Sequence, residues 1–172
     1  MTFFYMQTDF ESFKSILNFS PVHEHLYTSG QPTVEQLGWI KEQGFSSIIN
    51  VALTDASHHL PDEDHICLDL GLDYIHIPLL WECPSSSTGL LILDVVHHLV
   101  QEQKVWLHCA KNWRVACLMY LYRQYYLGID IAQADECLQQ IWQPNDTWIG
   151  WTHAVSLQLQ ARQSTREIEQ LS

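Results

Sequence analysis

The chain has 172 residues, of which 47% are hydrophobic and 16% charged, enough apolar side chain for one domain with a sizeable core. That balance excludes a disordered or collagen-like chain. Eight Lys+Arg against twenty Asp+Glu leave a net charge of −12, which argues against non-specific binding to nucleic acid. No apolar run reaches the length of a bilayer span, so no membrane partner is expected. The apolar start Met1-Thr2-Phe3-Phe4-Tyr5-Met6 is too short for a signal peptide and lacks a basic n-region. Five cysteines without a C-x-x-C pair (Cys67, Cys83, Cys109, Cys117, Cys137) fit a reduced, cytoplasmic chain in which a thiol can serve as nucleophile.

In chain order, Asp9 to Phe19 reads as a short helix with Phe10, Phe13, Ile16 and Leu17 on one face. His25-Leu26-Tyr27 is a short strand ended by Ser29-Gly30. Thr33-Val34-Glu35-Gln36 is a capping box, and the helix it opens should stop at Gly44. Ser46 to Val51 is a β-type run. Pro61 suits the first position of a short helix closed by Gly71.

Tyr74 to Leu79 is strand-like, with Pro78 at its end or on an edge. Trp81 to Ser87 is a turn-rich loop. Thr88 to Gln103 reads as a helix with an apolar stripe of Leu91, Val95 and Leu99. Val105 to His108 is a short buried strand, and Arg114 to Leu127 an apolar helix ended by Gly128. Two more helices follow, separated by Pro144-Asn145, and the last ten or so residues are polar enough to fray. Strands alternating with helices predict a single α/β domain over residues 1–172, with a mostly parallel central sheet and helices on both faces. Its core should run over about 20–150, with extra C-terminal helices over 146–172.

The chemistry concentrates where the last strand ends. Cys109 stands at the carboxyl end of a strand, where open parallel sheets bind ligands. Loop amides and the unpaired N–H groups of the next helix form an anion cradle there. Arg114 adds a bidentate fork for a tetrahedral oxyanion, and Lys111 contributes to a positive field that favours the thiolate of Cys109. A cysteine at a strand end is commonly just a small hydrophobe. The combination with Arg114 points instead to a nucleophile aimed at a bound oxyanion.

At these residues the sequence resembles a known family. His108-Cys109-x4-Arg114 is similar to the signature loop of cysteine-dependent protein tyrosine and dual-specificity phosphatases, and most similar to a bacterial phosphatase-like group with an HCAxNxRV-type loop. The resemblance spans about residues 16 to 150. It includes Tyr27 to Thr33, Ile49-Asn50-Val51, Leu60-Pro61-Asp62-Glu63, Gly71 to Pro78, and Ile141-Trp142-Gln143-Pro144. It implies a phosphatase-like fold and hydrolysis of phosphomonoesters, phosphotyrosine or related, without metal or other cofactor. Cys109 would form a phosphocysteine, with His108, Ala110, Lys111, Asn112 and Trp113 making the phosphate loop around Arg114. A carboxylic acid would protonate the leaving oxygen. Glu82 is the first candidate, Asp55 the second, and Asp62 or Glu63 the third; Glu82 reads equally well as one of twenty acids on a solvated surface.

Three departures keep alternatives open. The loop is C-x4-R rather than C-x5-R, a length closer to rhodanese-like sulfurtransferases. The usual loop glycine is absent, and Asn112 is the residue that could adopt a left-handed conformation in its place. Val115 replaces the Ser or Thr that usually follows the arginine, and bulky Trp113 could wall or occlude the pocket. A catalytically weak oxyanion-binding or interaction module is the third reading.

Other groups are read more simply. His23-x-His25, His58-His59 and His97-His98 lack zinc-site spacing and read as surface or capping histidines. His108 should orient the loop through hydrogen bonds, and Cys117 should lie in the core. Cys83, next to Glu82, could approach Cys109. Trp142, Trp148 and Trp151 should pack the C-terminal helices onto the domain. The aromatics Tyr120, Tyr122, Tyr125 and Tyr126 exceed one buried stripe, leaving room for a homodimer contact.

Overall fold

The structure is a computed structural model, described here over residues 10–172. Five strands make one sheet: β1 (Ser20–His23), β2 (Leu26–Ser29), β3 (Phe45–Asn50), β4 (Asp73–His76) and β5 (Lys104–His108). Their spatial order is β1-β2-β5-β3-β4. Only β1 runs antiparallel, pairing with β2; β2–β5, β5–β3 and β3–β4 are parallel. The helices are α1 (Val34–Glu42), α2 (Glu63–Asp69), α3 (Ser86–Leu99), α4 (Trp113–Tyr125), α5 (Ile131–Gln139) and α6 (Asp146–Leu171).

Successive strand residues face opposite sides of the sheet, and here each side has its own core. Ile48 and Trp106 face a smaller cluster with Phe13, Ile16, Leu37 and Ile40, under α1 and α2. Ile49, Val105 and Leu107 face a larger one with Leu93, Val96, Leu118, Leu121 and Trp148, under α3, α4 and α6. The expected single α/β domain with helices on both faces is therefore present. Trp148, Trp151, Val155 and Leu159 carry α6 into the larger core.

Local signals account for the segment joining β2 to β3. Thr33 accepts from the Gln36 N–H and Gln36 Oε1 accepts from the Thr33 N–H, completing the capping box of α1. Gly44 ends that helix in the left-handed region, at φ 86.

Several local expectations are corrected. Residues 10–13 are helical but turns follow, so the helix expected from Asp9 to Phe19 is shorter; Asp9 itself lies outside the described residues. Phe13 and Ile16 are buried, whereas Phe10 and Leu17 are exposed. Pro61 precedes α2 rather than opening it, because Asp62 takes the N-cap position in the left-handed region. The fully buried residues of α3 are Leu90, Ile92, Leu93 and Val96; of the expected stripe, Val95 and Leu99 pack half-buried against the larger core and Leu91 faces solvent. That helix also starts earlier than expected, because Ser85 caps it by accepting from the Thr88 N–H. The polar C-terminal segment continues α6 to Leu171.

Candidate active site

β5 is the central strand of the sheet, and Cys109 is the first residue beyond its carboxyl end. Cys109 is nearly buried but lines a cavity of about 330 Å³. Ala110, Lys111, Trp113 and Arg114 of the same loop line it too, and Ala56, Ser57 and Trp81 form the facing wall. Among the described residues, two cations and no carboxylate line this cavity, in a chain of net charge −12. Such a cavity favours an anion.

The loop is held by residues before β1, within β2 and just after β2. Asn112 sits at φ 66, ψ 5, the left-handed conformation foreseen for it. Its Nδ2 donates to the Asn18 carbonyl (2.7 Å) and to Thr28 Oγ1 (3.2 Å). Asn18 Nδ2 in turn donates to the Lys111 carbonyl at 2.9 Å, and the Gln31 N–H donates to the Ala110 carbonyl at 3.1 Å. Asn112 is thereby committed to anchoring, and its side chain does not cap α4. The first N–H groups of α4 remain free of an intrahelical partner, a ready donor set for an oxyanion. Arg114 is 7% exposed and its Nε has no hydrogen-bond partner among the described residues. A buried guanidinium with an unpaired Nε, lining the same cavity as a thiol, calls for an anionic partner.

Aromatic rings fix the cations. The Arg114 guanidinium lies 5.5 Å from the Trp81 ring centroid, and Lys111 Nζ lies 4.9 Å from that of Trp113. Trp113 stacks on Trp142 (5.1 Å, 6°), and Trp81 contacts Trp113, Trp142 and Trp148. Trp113 therefore walls the cavity instead of occluding it.

Behind the loop lies a polar cluster that the sequence did not assign. Glu63, 2% exposed, receives hydrogen bonds from Gln31 Nε2 (2.9 Å), Asn50 Nδ2 (3.0 Å) and the Tyr74 hydroxyl (3.0 Å). Its Oε1 is 2.7 Å from His108 Nε2. Burial alone would push the Glu63 carboxyl up. The His108 charge, with hydrogen bonds from His108, Gln31 and Tyr74, outweighs that and holds it below its usual value. Burial pushes the Cys67 thiol on the same helix up to about 12, with Glu63 and Asp64 adding to it.

Among the expected site residues, the structure brings Cys109, Ala110, Lys111, Trp113 and Arg114 together at the cavity. His108 turns toward Glu63 and Asn112 toward Asn18 and Thr28, so neither lines it. Glu82 and Asp55 are both exposed; neither lines the cavity, but each adjoins a residue that does, Trp81 and Ala56. Asp62 is exposed at the start of α2, and Glu63 is buried as a carboxylate, which does not suit a proton donor to substrate. Cys117 is fully buried, and burial pushes its thiol up; Cys83 is exposed and free. Sequence reasoning missed Trp81, Ala56 and Ser57 as wall, Trp142 as support for Trp113, and the partners of Glu63. Gln31, Asn50, Glu63 and Tyr74 all lie within the motifs that carried the family resemblance, and that was the available signal.

Comparison with known proteins agrees with this geometry. Residues 10–166 match the family described as a DSP-PTPase phosphatase fused to NAD+ kinase. No curated protein matches the chain. The crystal structure of the DUF442 protein of Shewanella putrefaciens CN-32 is similar at a TM-score of 0.76 and 23% identity, over 87% of this chain and 97% of that one. TpbA of P. aeruginosa gives 0.67 and 15%, over 83% and 91%. The catalytic core of the PP-IP phosphatase SIW14 from S. cerevisiae gives 0.70 and 16%, over 88% and 93%. With a family match over nearly its whole length and the same fold in these structures, the chain belongs to the dual-specificity and protein-tyrosine phosphatase-like family.

Proposed function

We propose that the protein is a cysteine-dependent phosphatase that hydrolyses phosphomonoesters, phosphotyrosine or related, through a phosphocysteine. The observation that carries this reading is the shared cavity of Cys109 and Arg114, with the Arg114 Nε unpaired and no lining carboxylate among the described residues. The Cys109 thiolate attacks phosphorus in line, the S–P bond forms, and the ester P–O bond breaks. The Arg114 fork and the amides at the start of α4 hold the equatorial oxygens. The departing oxygen takes a proton from a carboxylic acid, which then takes a proton from the water that cleaves the S–P bond.

We assign that acid to Glu82, which follows the wall residue Trp81, ahead of Asp55, which precedes the wall residue Ala56. A leaving-group series tests the assignment. Loss of a general acid costs about 10²–10⁴-fold, mostly with alkyl phosphates and little with nitrophenyl phosphate, whose phenolate departs without a proton. Glu82→Gln should show that dependence. An equal, small loss on both substrates transfers the role to Asp55. Robust Cys109-dependent thiocyanate formation from thiosulfate and cyanide, with no phosphate release, would overturn the phosphatase reading in favour of sulfur transfer.

A further inference from the structure

Lys111 lines the cavity of Cys109 without a counter-ion. Its ammonium has no acid within ion-pair reach and no hydrogen-bond partner among the described residues. Other cations are engaged elsewhere: Lys14 pairs with Glu11, Arg162 with Asp94, and Lys41 and Lys104 donate to the carbonyls of Gly71 and Gln43. The Lys111 ammonium rests instead on the Trp113 ring, 4.9 Å from its centroid. Trp142 stacks on one face of that ring, which leaves the other for Lys111. The backbone beneath is fixed as well, because Asn18 Nδ2 holds the Lys111 carbonyl at 2.9 Å and Lys111 bridges to Gly30. A half-buried lysine seated in this way, with no acid to neutralise it, favours an anion at the cavity wall.

The second cation has a seat of its own. The Arg114 guanidinium lies over Trp81, 5.5 Å from the ring centroid. The phosphoryl group under transfer is held by the Arg114 fork and the free N–H groups that open α4, in contact with Cys109. Lys111 is left for a second anion. Lysine binds as a point charge and suits a phosphate dianion, whereas flat, bidentate recognition of a carboxylate would call for arginine.

Space limits what can carry the two groups. The cavity of about 330 Å³ is at the small end of ligand sites. The Trp81 and Trp113 centroids are 5.9 Å apart with their planes 42° apart. A ring sandwiched between two others needs about 7–8 Å, so the body of the substrate lies along this aromatic wall instead of between its rings. Ala56 and Ser57 face it from the other side. The acids nearest the wall in sequence are Asp55 and Glu82, both exposed. They disfavour a second phosphate away from Lys111, and they disfavour an acidic phosphopeptide lying across the surface.

We propose that Lys111 is a specificity-determining residue that binds a second phosphate on the substrate, so that the preferred substrates are small, ring-sized bisphosphates. Water cleaves one ester at Cys109 to inorganic phosphate and a hydroxyl, and the second phosphate stays on the product. The hydrolysis rests on the phosphatase reading; the binding does not.

Two matched pairs of probes test it, one by binding and one by turnover. Calorimetry compares phenylphosphonate with benzene-1,3-diphosphonate, neither of which has an ester to cleave. Wild-type protein should bind the diphosphonate about ten-fold more tightly, the worth of one charge-assisted hydrogen bond. That ratio should fall toward one in about 0.5 M salt. It should also fall toward one in Lys111→Met, which keeps the apolar stem on Trp113, whatever the substitution does to either ligand alone. Lys111→Arg keeps the charge and should retain most of the ratio, which covers the case in which Lys111→Met does not fold. The ratio of kcat/KM for 3-phosphonophenyl phosphate over phenyl phosphate should follow the same pattern. A ratio near one in wild type, or one that survives Lys111→Met, overturns the proposal. So does a Lys111-dependent preference for an acidic phosphotyrosine peptide over 3-phosphonophenyl phosphate. Phosphate release without the preference leaves the phosphatase reading standing and the second site disproved. Lys111-dependent diphosphonate binding without phosphate release from either ester does the reverse.

Discussion

Trp113, the first residue of α4, stacks on Trp142 from the segment after α5, with ring centroids 5.1 Å apart and planes 6° apart. The cavity-wall residue beside Arg114 is thus braced by a part of the chain about thirty residues downstream. Trp81 packs on the same pair and also stands over the Arg114 guanidinium. One aromatic cluster therefore sets the cavity wall and the position of its cation.

Trp142→Ala should accordingly affect both stability and the site. Losing a half-buried indole and its stack should cost about 2–3 kcal/mol, with Trp142→Phe costing about a third of that. Urea unfolding measures the stability. Steady-state kinetics at a temperature where both variants are folded should show KM for an aryl phosphate rising more than kcat falls, since Arg114 loses alignment with the bound anion. Equal KM values in wild type and Trp142→Ala would detach the cluster from the site.

Gly30 is the second support. A Cβ there would sit 2.8 Å from the Ala110 carbonyl oxygen and 3.0 Å from Leu17, and the Ala110 oxygen is fixed by the Gln31 N–H. Gly30→Ala must push the loop between Cys109 and Arg114, at a cost of about 1–3 kcal/mol. We expect kcat/KM to fall at least about ten-fold with circular dichroism unchanged. Gly150→Ala in α6, where nothing lies within 4 Å, is the contrast. It should stabilise by about 0.5–1 kcal/mol and leave kinetics alone.

Acid sensitivity follows from Glu63. Burial opposes its ionisation, but the His108 charge and the hydrogen bonds from His108, Gln31 and Tyr74 prevail, so its folded-state value lies below the ordinary 4.5. A carboxyl depressed on folding contributes stability that is present above its unfolded value and is lost as pH falls through the folded one. The stability difference between wild type and Glu63→Gln should therefore be full at pH 7 and narrow steadily from about pH 4.5 downward. Urea midpoints at a series of pH values measure it. A gap that stays constant down to pH 3 would contradict the ionised carboxylate.

Much of this arrangement is legible in the sequence, and the residues show why the rest is not. Thr33/Gln36 and Gly44 act through their own backbone and nearest neighbours, so local rules locate them; the left-handed backbone of Asn112 is local too, but its side-chain bonds to Asn18 and Thr28 span the chain. β1 was not foreseen, because Ser20-Pro21-Val22-His23 has no strand pattern of its own and becomes a strand only by pairing with β2. The buried face of α3 was placed only in part: Val95 and Leu99 pack half-buried against the larger core, whereas Leu91 faces solvent. Leu91 is as apolar as Leu90 and Ile92 beside it, and only the position of the sheet decides which of them turns inward. At the site, the strand–Cys–Arg order was readable, whereas the burial of Glu63 depends on Gln31, Asn50, Tyr74 and His108 meeting from four separate segments.

Val115 marks where turnover should be limited. It is fully buried in the first turn of α4, where phosphatases of this kind usually carry a hydroxyl beside the departing thiolate. Without it the phosphocysteine should break down slowly, giving a burst of phenolate release before a slower steady state. Val115→Thr keeps the shape and adds one hydrogen bond to a charged sulfur, worth about 1.5–3 kcal/mol. The steady-state rate should rise about ten-fold or more and the burst should vanish. A linear time course in both proteins would show that the missing hydroxyl does not limit the reaction.

The central claim is that Cys109 carries the phosphoryl group, and rapid acid quench tests it most directly. Wild-type protein mixed with an aryl phosphate in chelator, quenched within the burst and digested under acid, should yield a phosphorylated peptide containing Cys109. Cys109→Ser should yield none and should release no phosphate. Hydrolysis that survives Cys109→Ser, or that disappears with chelator while Cys109 stays unmodified, would contradict the mechanism.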